Sequence, residues 1–134
     1  MAGSMSDFLE LEVLDHVLGG GNYTRPTNVY IALFTAAPSD SGGGTEVAAM
    51  DYERLEIVND ATNWPAASSG AKANGTDFEF PEATNNWGTI VAMAIFDDPD
   101  AGNMLFWGDL TSSRVVNSGD TFSLEAGDIN ITLT

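Results

Sequence analysis

Cysteine is absent from this 134-residue sequence, so neither a disulfide framework nor a cysteine-based zinc site can be built. Positive charge is nearly as scarce. Arg25, Arg54, Lys72 and Arg114 stand singly against 20 acidic residues, for a formal charge of −16. Phosphate recognition needs clustered Lys and Arg, which excludes nucleic acid as a direct ligand and disfavours an anionic membrane surface. No apolar run approaches the about 18 residues of a membrane span. The N-terminus lacks a basic region followed by an apolar stretch, so it does not read as a signal peptide. Catalytic signatures are missing too. No serine sits in a Gly-x-Ser-x-Gly elbow, and Gly42-Gly43-Gly44 lacks the lysine of a phosphate-binding loop. The sole histidine, His16, has no neighbouring nucleophile or base and reads as a helix-face residue. A non-enzymatic protein is expected.

What is present suits one domain, because a chain of this size can bury about two-thirds of its unfolded surface without covalent staples. Residues 1–6 read as a short arm, natural or appended, and residues 7–134 as a single β-domain that begins with a helix over 7–18. Phe8, Leu11, Leu14 and Leu18 recur at spacings of three and four, giving one apolar stripe. Ser6 or Asp7 supplies the N-cap, Asp7 and Glu10 have capping-box spacing, and Gly19-Gly20-Gly21 stops the helix. Short strands follow at residues 29–34, 52–58, 76–80, 89–96, 104–110, 121–124 and 130–133. The run 89–96 is apolar throughout, as in a strand covered on both faces. This pattern predicts a mainly β fold, an antiparallel sandwich or barrel of jelly-roll type with one N-terminal helix. Leu33, Phe34, Phe78, Phe80, Ile95, Phe96 and Trp107 are the expected core. Two long segments, 38–49 and 61–75, are rich in small and polar residues, and their composition predicts ordering by neighbouring chains.

Three groups of residues are candidate sites. The stripe Phe8, Leu11, Leu14 and Leu18 either covers the domain's own sheet, the favoured reading, or docks on a partner. Trp64 and Trp87 each follow an asparagine at a loop or strand boundary. They either form a platform for a sugar or close the end of the core, and closing the core is favoured. Asp97, Asp98, Asp100 and Asn103 offer hard oxygen ligands suited to weak calcium binding, but lack EF-hand spacing. A solvated turn is the favoured reading of that loop, and no cofactor is expected.

Residues 29–40 and 43–47 resemble a family of small proteins encoded among bacteriophage structural genes. The resemblance continues in order through 63–67, 72–76, 87–89, 94–97, 102–108, 116–121 and 126–133. Members are labelled tail-fibre or generic virion proteins. The resemblance implies a virion component whose partners are the major capsid protein or other virion proteins; the composition of the long segments predicts a homo-oligomer, for example a trimer. Within the particle, the leading expectation is a head-decoration or cement protein on the outer surface. The absence of coiled-coil heptads or fibrous repeats and the acidic charge favour it. The alternatives are a tail-tip or tail-fibre module that binds a host receptor or glycan, and a host-encoded lectin-like domain dependent on calcium.

Overall fold

Hydrophobic alternation builds the centre of the fold, and backbone pairing of less conspicuous segments completes it. The computed structural model describes residues 2–133. In chain order the elements are β1 (Ala2–Met5), α1 (Asp7–Val17), β2 (Asn28–Ala36), β3 (Thr45–Glu46), β4 (Leu55–Val58) and β5 (Ala71–Ala73). β6 (Phe78–Glu79), β7 (Gly88–Phe96), β8 (Met104–Val116), β9 (Ser123–Leu124) and β10 (Asn130–Thr132) follow.

β7 lies between β2 and β8 and pairs antiparallel with both. β3 and β4 share the outer edge of β2. The sheet turns its corner at β1. Ser4 and Met5 pair antiparallel with Trp107 and Phe106 of β8, whereas Ala2 and Gly3 pair in parallel with Asn130 and Ile131 of β10. β5 covers the far edge of β10, and β6 with β9 forms a separate ribbon. The result is the predicted mainly β, antiparallel-dominated sandwich with one N-terminal helix.

Alternation along β2 sorts its side chains by face. Ile31 and Leu33 enter the main core with Ile90, Met93, Phe80 and Phe122, while Ala32 and Phe34 join Ala92, Ala94 and Met104 in a second cluster. Apolar residues therefore cover both faces of β2 and β7, which is why these strands read as near-continuous apolar runs.

Several expectations need correcting. Residues 2–5 are a strand that joins the two parts of the main sheet, not an arm. Trp107 and Phe96 are only half-buried. Trp107 turns its indole outward, and Nε1 donates to Asp40 Oδ1 at 2.7 Å. The long segments are ordered by the chain itself. Ser39 and Gly42 exchange two backbone bonds, and Val47 N donates to Leu33 O. In the second segment Trp64 is buried, Ser68 pairs with Ala71, and Gly75 N donates to Asn63 O. Backbone bonds, rather than side-chain packing, compensate for the lack of large residues there.

Candidate docking surface

Helix α1 is placed by its first residue. Ser6 is 2 % exposed; its Oγ donates to Met104 O and accepts from Leu9 N, and its backbone N donates to Leu105 O. The cap thus fastens the helix start to β8. His16 Nδ1 accepts from Tyr23 N, so this histidine braces the chain as it leaves the helix. The helix buries Leu9 and half-buries Phe8. Three of the four predicted stripe residues, however, face solvent: Leu11 is 64 % exposed, Leu14 57 % and Leu18, the C-cap, 73 %. At 3.6 residues per turn they lie roughly 140–180° around the helix from Leu9. The favoured reading, in which the stripe covers the domain's own sheet, is therefore corrected. Leu9, outside the stripe, does the inward packing, and the leucines form a face that nothing among the described residues covers. Glu10 and Asp15, both exposed, flank that face.

Beside the helix lies an apolar groove of about 410 Å³. Leu9 and Val13 of α1, Ile95 of β7, Leu105 of β8 and Ile131 of β10 line it, together with Trp64. Arg25 and Lys72 border the same groove. The other two basic residues are committed elsewhere: Arg54 pairs with Glu46 at 2.9 Å, and Arg114 lies over the Phe122 ring at 4.8 Å. Half of the chain's scarce positive charge therefore stands at one apolar groove. This juxtaposition was not legible in the sequence, because residues 25 and 72 share no motif.

Both candidate tryptophans are buried, Trp64 at 8 % exposure and Trp87 at 6 %. They close the core and present no stacking platform, which removes the sugar-binding reading of these two residues. Trp64 packs edge-on against Phe78, and its Nε1 is buried without a hydrogen-bond partner. Trp87 packs edge-on against Tyr52 and Phe80 and donates Nε1 to Asp51 Oδ1 at 3.1 Å.

Asp51 also accepts from Thr84 N and Asn85 Nδ2, and so anchors the turn before β7. Partial burial pushes its carboxyl up, but the bonds from Thr84 N, Trp87 and Asn85 outweigh this and hold the pKa down, at about 2 against an ordinary 3.8. A carboxyl depressed in the folded state contributes stability that is complete above its unfolded pKa and is lost as pH falls through the folded one. The difference in urea midpoint between the native chain and Asp51→Asn is therefore expected to be widest above about pH 4 and to shrink toward about pH 2. A difference that stayed constant across this range would show that ionised Asp51 contributes nothing special.

The acidic loop serves its own turn. Asp97 accepts from Asn103 N at 2.7 Å and from Asn103 Nδ2 at 3.0 Å, while Asp98 Oδ1 accepts from Asp100 N and Ala101 N. Those two backbone bonds, with Arg54 nearby, hold the Asp98 carboxyl below its ordinary value. Gly102, at φ +72°, lies so close to Asp97 and Asp98 that a Cβ there would collide with both side chains. Among the described residues, no group of three or more His, Asp or Glu side chains is arranged to hold a metal ion. Of the four calcium candidates Asp97, Asp98, Asp100 and Asn103, the first two direct carboxylate oxygens to closing the hairpin turn. No helix among the described residues is long and apolar enough to cross a membrane.

A family model described as Podophage GP4 fiber I protein gp80 matches residues 4–132, nearly the whole chain. No curated protein matches the sequence.

Proposed function

Since this chain belongs to the Podophage GP4 fiber I protein gp80 family and is thus a phage virion structural protein, we propose that it is a fibre subunit that docks through the leucine face of α1. The exposed face of Leu11, Leu14 and Leu18 carries this reading. Three leucines on one side of a helix form a contiguous apolar surface of the kind that marks protein contacts. They lie on a helix clamped rigidly to β8 by Ser6, so the surface is presented in a fixed direction. The family's description favours the fibre over the head-decoration role that the compact acidic domain suggested.

Immunogold electron microscopy of intact particles tests the location. Label on tail fibres is the expected result, and label distributed over the head would replace the fibre reading with decoration. Docking is tested by supplying a Leu11→Glu/Leu14→Glu variant to particles that lack the native protein. Each buried leucine contributes about 1.5–3 kcal/mol, so incorporation should fall to background while the variant's circular dichroism stays native. Normal incorporation would remove α1 as the anchor.

A further inference from the structure

Resting on the reading that α1 docks the chain, we propose that its leucine face inserts into the apolar groove of a second copy of this chain, where Arg25 and Lys72 receive the flanking acids. Three observations support that occupant. First, the face cannot reach the groove of its own chain: Leu9 lines that groove, and Leu11, Leu14 and Leu18 lie on the opposite side of the same helix. Second, the charges match. Glu10 and Asp15 border the leucines, while Arg25 and Lys72 border the groove, and neither basic residue has an ion-pair partner among the described residues. In a chain of charge −16, two copies repel at most orientations, and this is the orientation that places acids against free cations. Third, an apolar wall bordered by a few polar groups suits a clustered apolar insert.

The donating face and the receiving groove are different patches, so the contact is head-to-tail. It leaves one face and one groove free in any pair, and it closes only as a ring or continues as a filament. A symmetric helix-to-helix dimer would need neither groove nor cations, which gives the experiment its contrast.

The test uses two full-length variants, one with the face spoiled (Leu11→Glu/Leu14→Glu) and one with the groove rim reversed (Arg25→Glu/Lys72→Glu), followed by sedimentation velocity over a dilution series. The native chain should associate, and each variant alone should be monomeric, with the association constant of the face variant lowered at least about 100-fold. An equimolar mixture of the two should form a dimer and nothing larger, because the intact groove of the first accepts the intact face of the second. A monomeric native chain, or a mixture that stays monomeric while both variants are folded, overturns the proposal. Should either double variant lose its native circular dichroism, Leu14→Ser and Lys72→Gln replace them, with the same pattern expected at smaller amplitude. Particle incorporation separates this inference from the reading beneath it. If the native chain is monomeric yet the face variant is not incorporated, docking through α1 stands and the partner is another virion protein. If the face variant is incorporated normally, docking through α1 itself fails.

Discussion

Replacing Arg54 by alanine is expected to destabilise the fold by about 3–5 kcal/mol, the range for removing one partner of a buried ion pair. The Arg54 side chain is 7 % exposed and that of Glu46 25 %. The guanidinium meets Glu46 in a two-pronged contact, with Nε 3.0 Å from Oε2 and Nη2 2.9 Å from Oε1. Nη1 donates to the carbonyls of Asp98 and Ala101, and the group lies 3.8 Å above the Phe96 ring. Tyr52 OH completes the cluster by donating to Glu46 and accepting from Leu33 N. Burial, with Glu46 adding to it, pushes the Tyr52 hydroxyl well above its ordinary pKa, so it stays a neutral donor. Alanine would leave Glu46 without its counter-charge, two loop carbonyls without a donor, and one face of Phe96 bare.

Arg54→Lys separates charge from shape. Lysine keeps the positive charge but cannot reproduce the planar fork, so it should recover only part of the loss. Urea unfolding at neutral pH reads both variants. An alanine cost below about 1 kcal/mol would place the pair with weak surface bridges and remove its structural role. The clamp also orders the acidic hairpin loop after β7. One arginine holds two of its carbonyls and turns it toward β3, and backbone N–H groups occupy its carboxylates.

Strand positions were legible where one chain segment carried its own pattern. β2 and β7 are apolar runs because both of their faces are covered, and the limits of α1 follow from Ser6 and Gly19. β1 was not legible. Ala2-Gly3-Ser4-Met5 has little strand propensity of its own, and the free backbone edges of β8 and β10 impose its extended form. β8 outruns its apolar stretch because its register shifts opposite residues 90–92 of β7, which lets Arg114 to Val116 pair with Gly88 to Ile90. Helical periodicity located a stripe on α1 but could not say which side faces inward. One buried leucine, Leu9, decides that, because Ser6, fastened to β8, fixes the rotation of the helix. The groove, the Arg54 clamp and the Asp51 anchor join residues far apart in the chain with no local motif. Tertiary contact creates them, and no window of sequence contains them.

Asn74 is the position where the smallest change should have a comparably large effect. It is 3 % exposed, and its amide is fully used. Nδ2 donates to Thr76 O and Glu125 O, both at 2.9 Å, while Oδ1 accepts from Gly127 N at 3.1 Å and Ile129 N at 2.9 Å. A single side chain thereby ties the segment after β5 to the turn between β9 and β10. Leaving a buried polar group unsatisfied costs about 1–3 kcal/mol. Asn74→Ala orphans Thr76 O and Ile129 N, whereas Glu125 O keeps its bond from Asp128 N and Gly127 N retains its bond to Asn74 O. A loss of roughly 2 kcal/mol or more is therefore expected in urea unfolding. Asn74→Asp tests the donor half alone. A carboxylate keeps both acceptor contacts but faces the Thr76 and Glu125 carbonyls with no proton to offer, so its folded pKa should lie above the unfolded value. Such a group contributes its stability below the unfolded pKa and loses it as pH rises through the folded one. Measured against the native chain, Asn74→Asp should thus be strongly destabilised at neutral pH and recover in part as pH falls, since the protonated acid can donate to one carbonyl. Asn74→Ala should show no such recovery. Equal pH dependence in the two variants would mean that the donor bonds to Thr76 and Glu125 do not hold this turn.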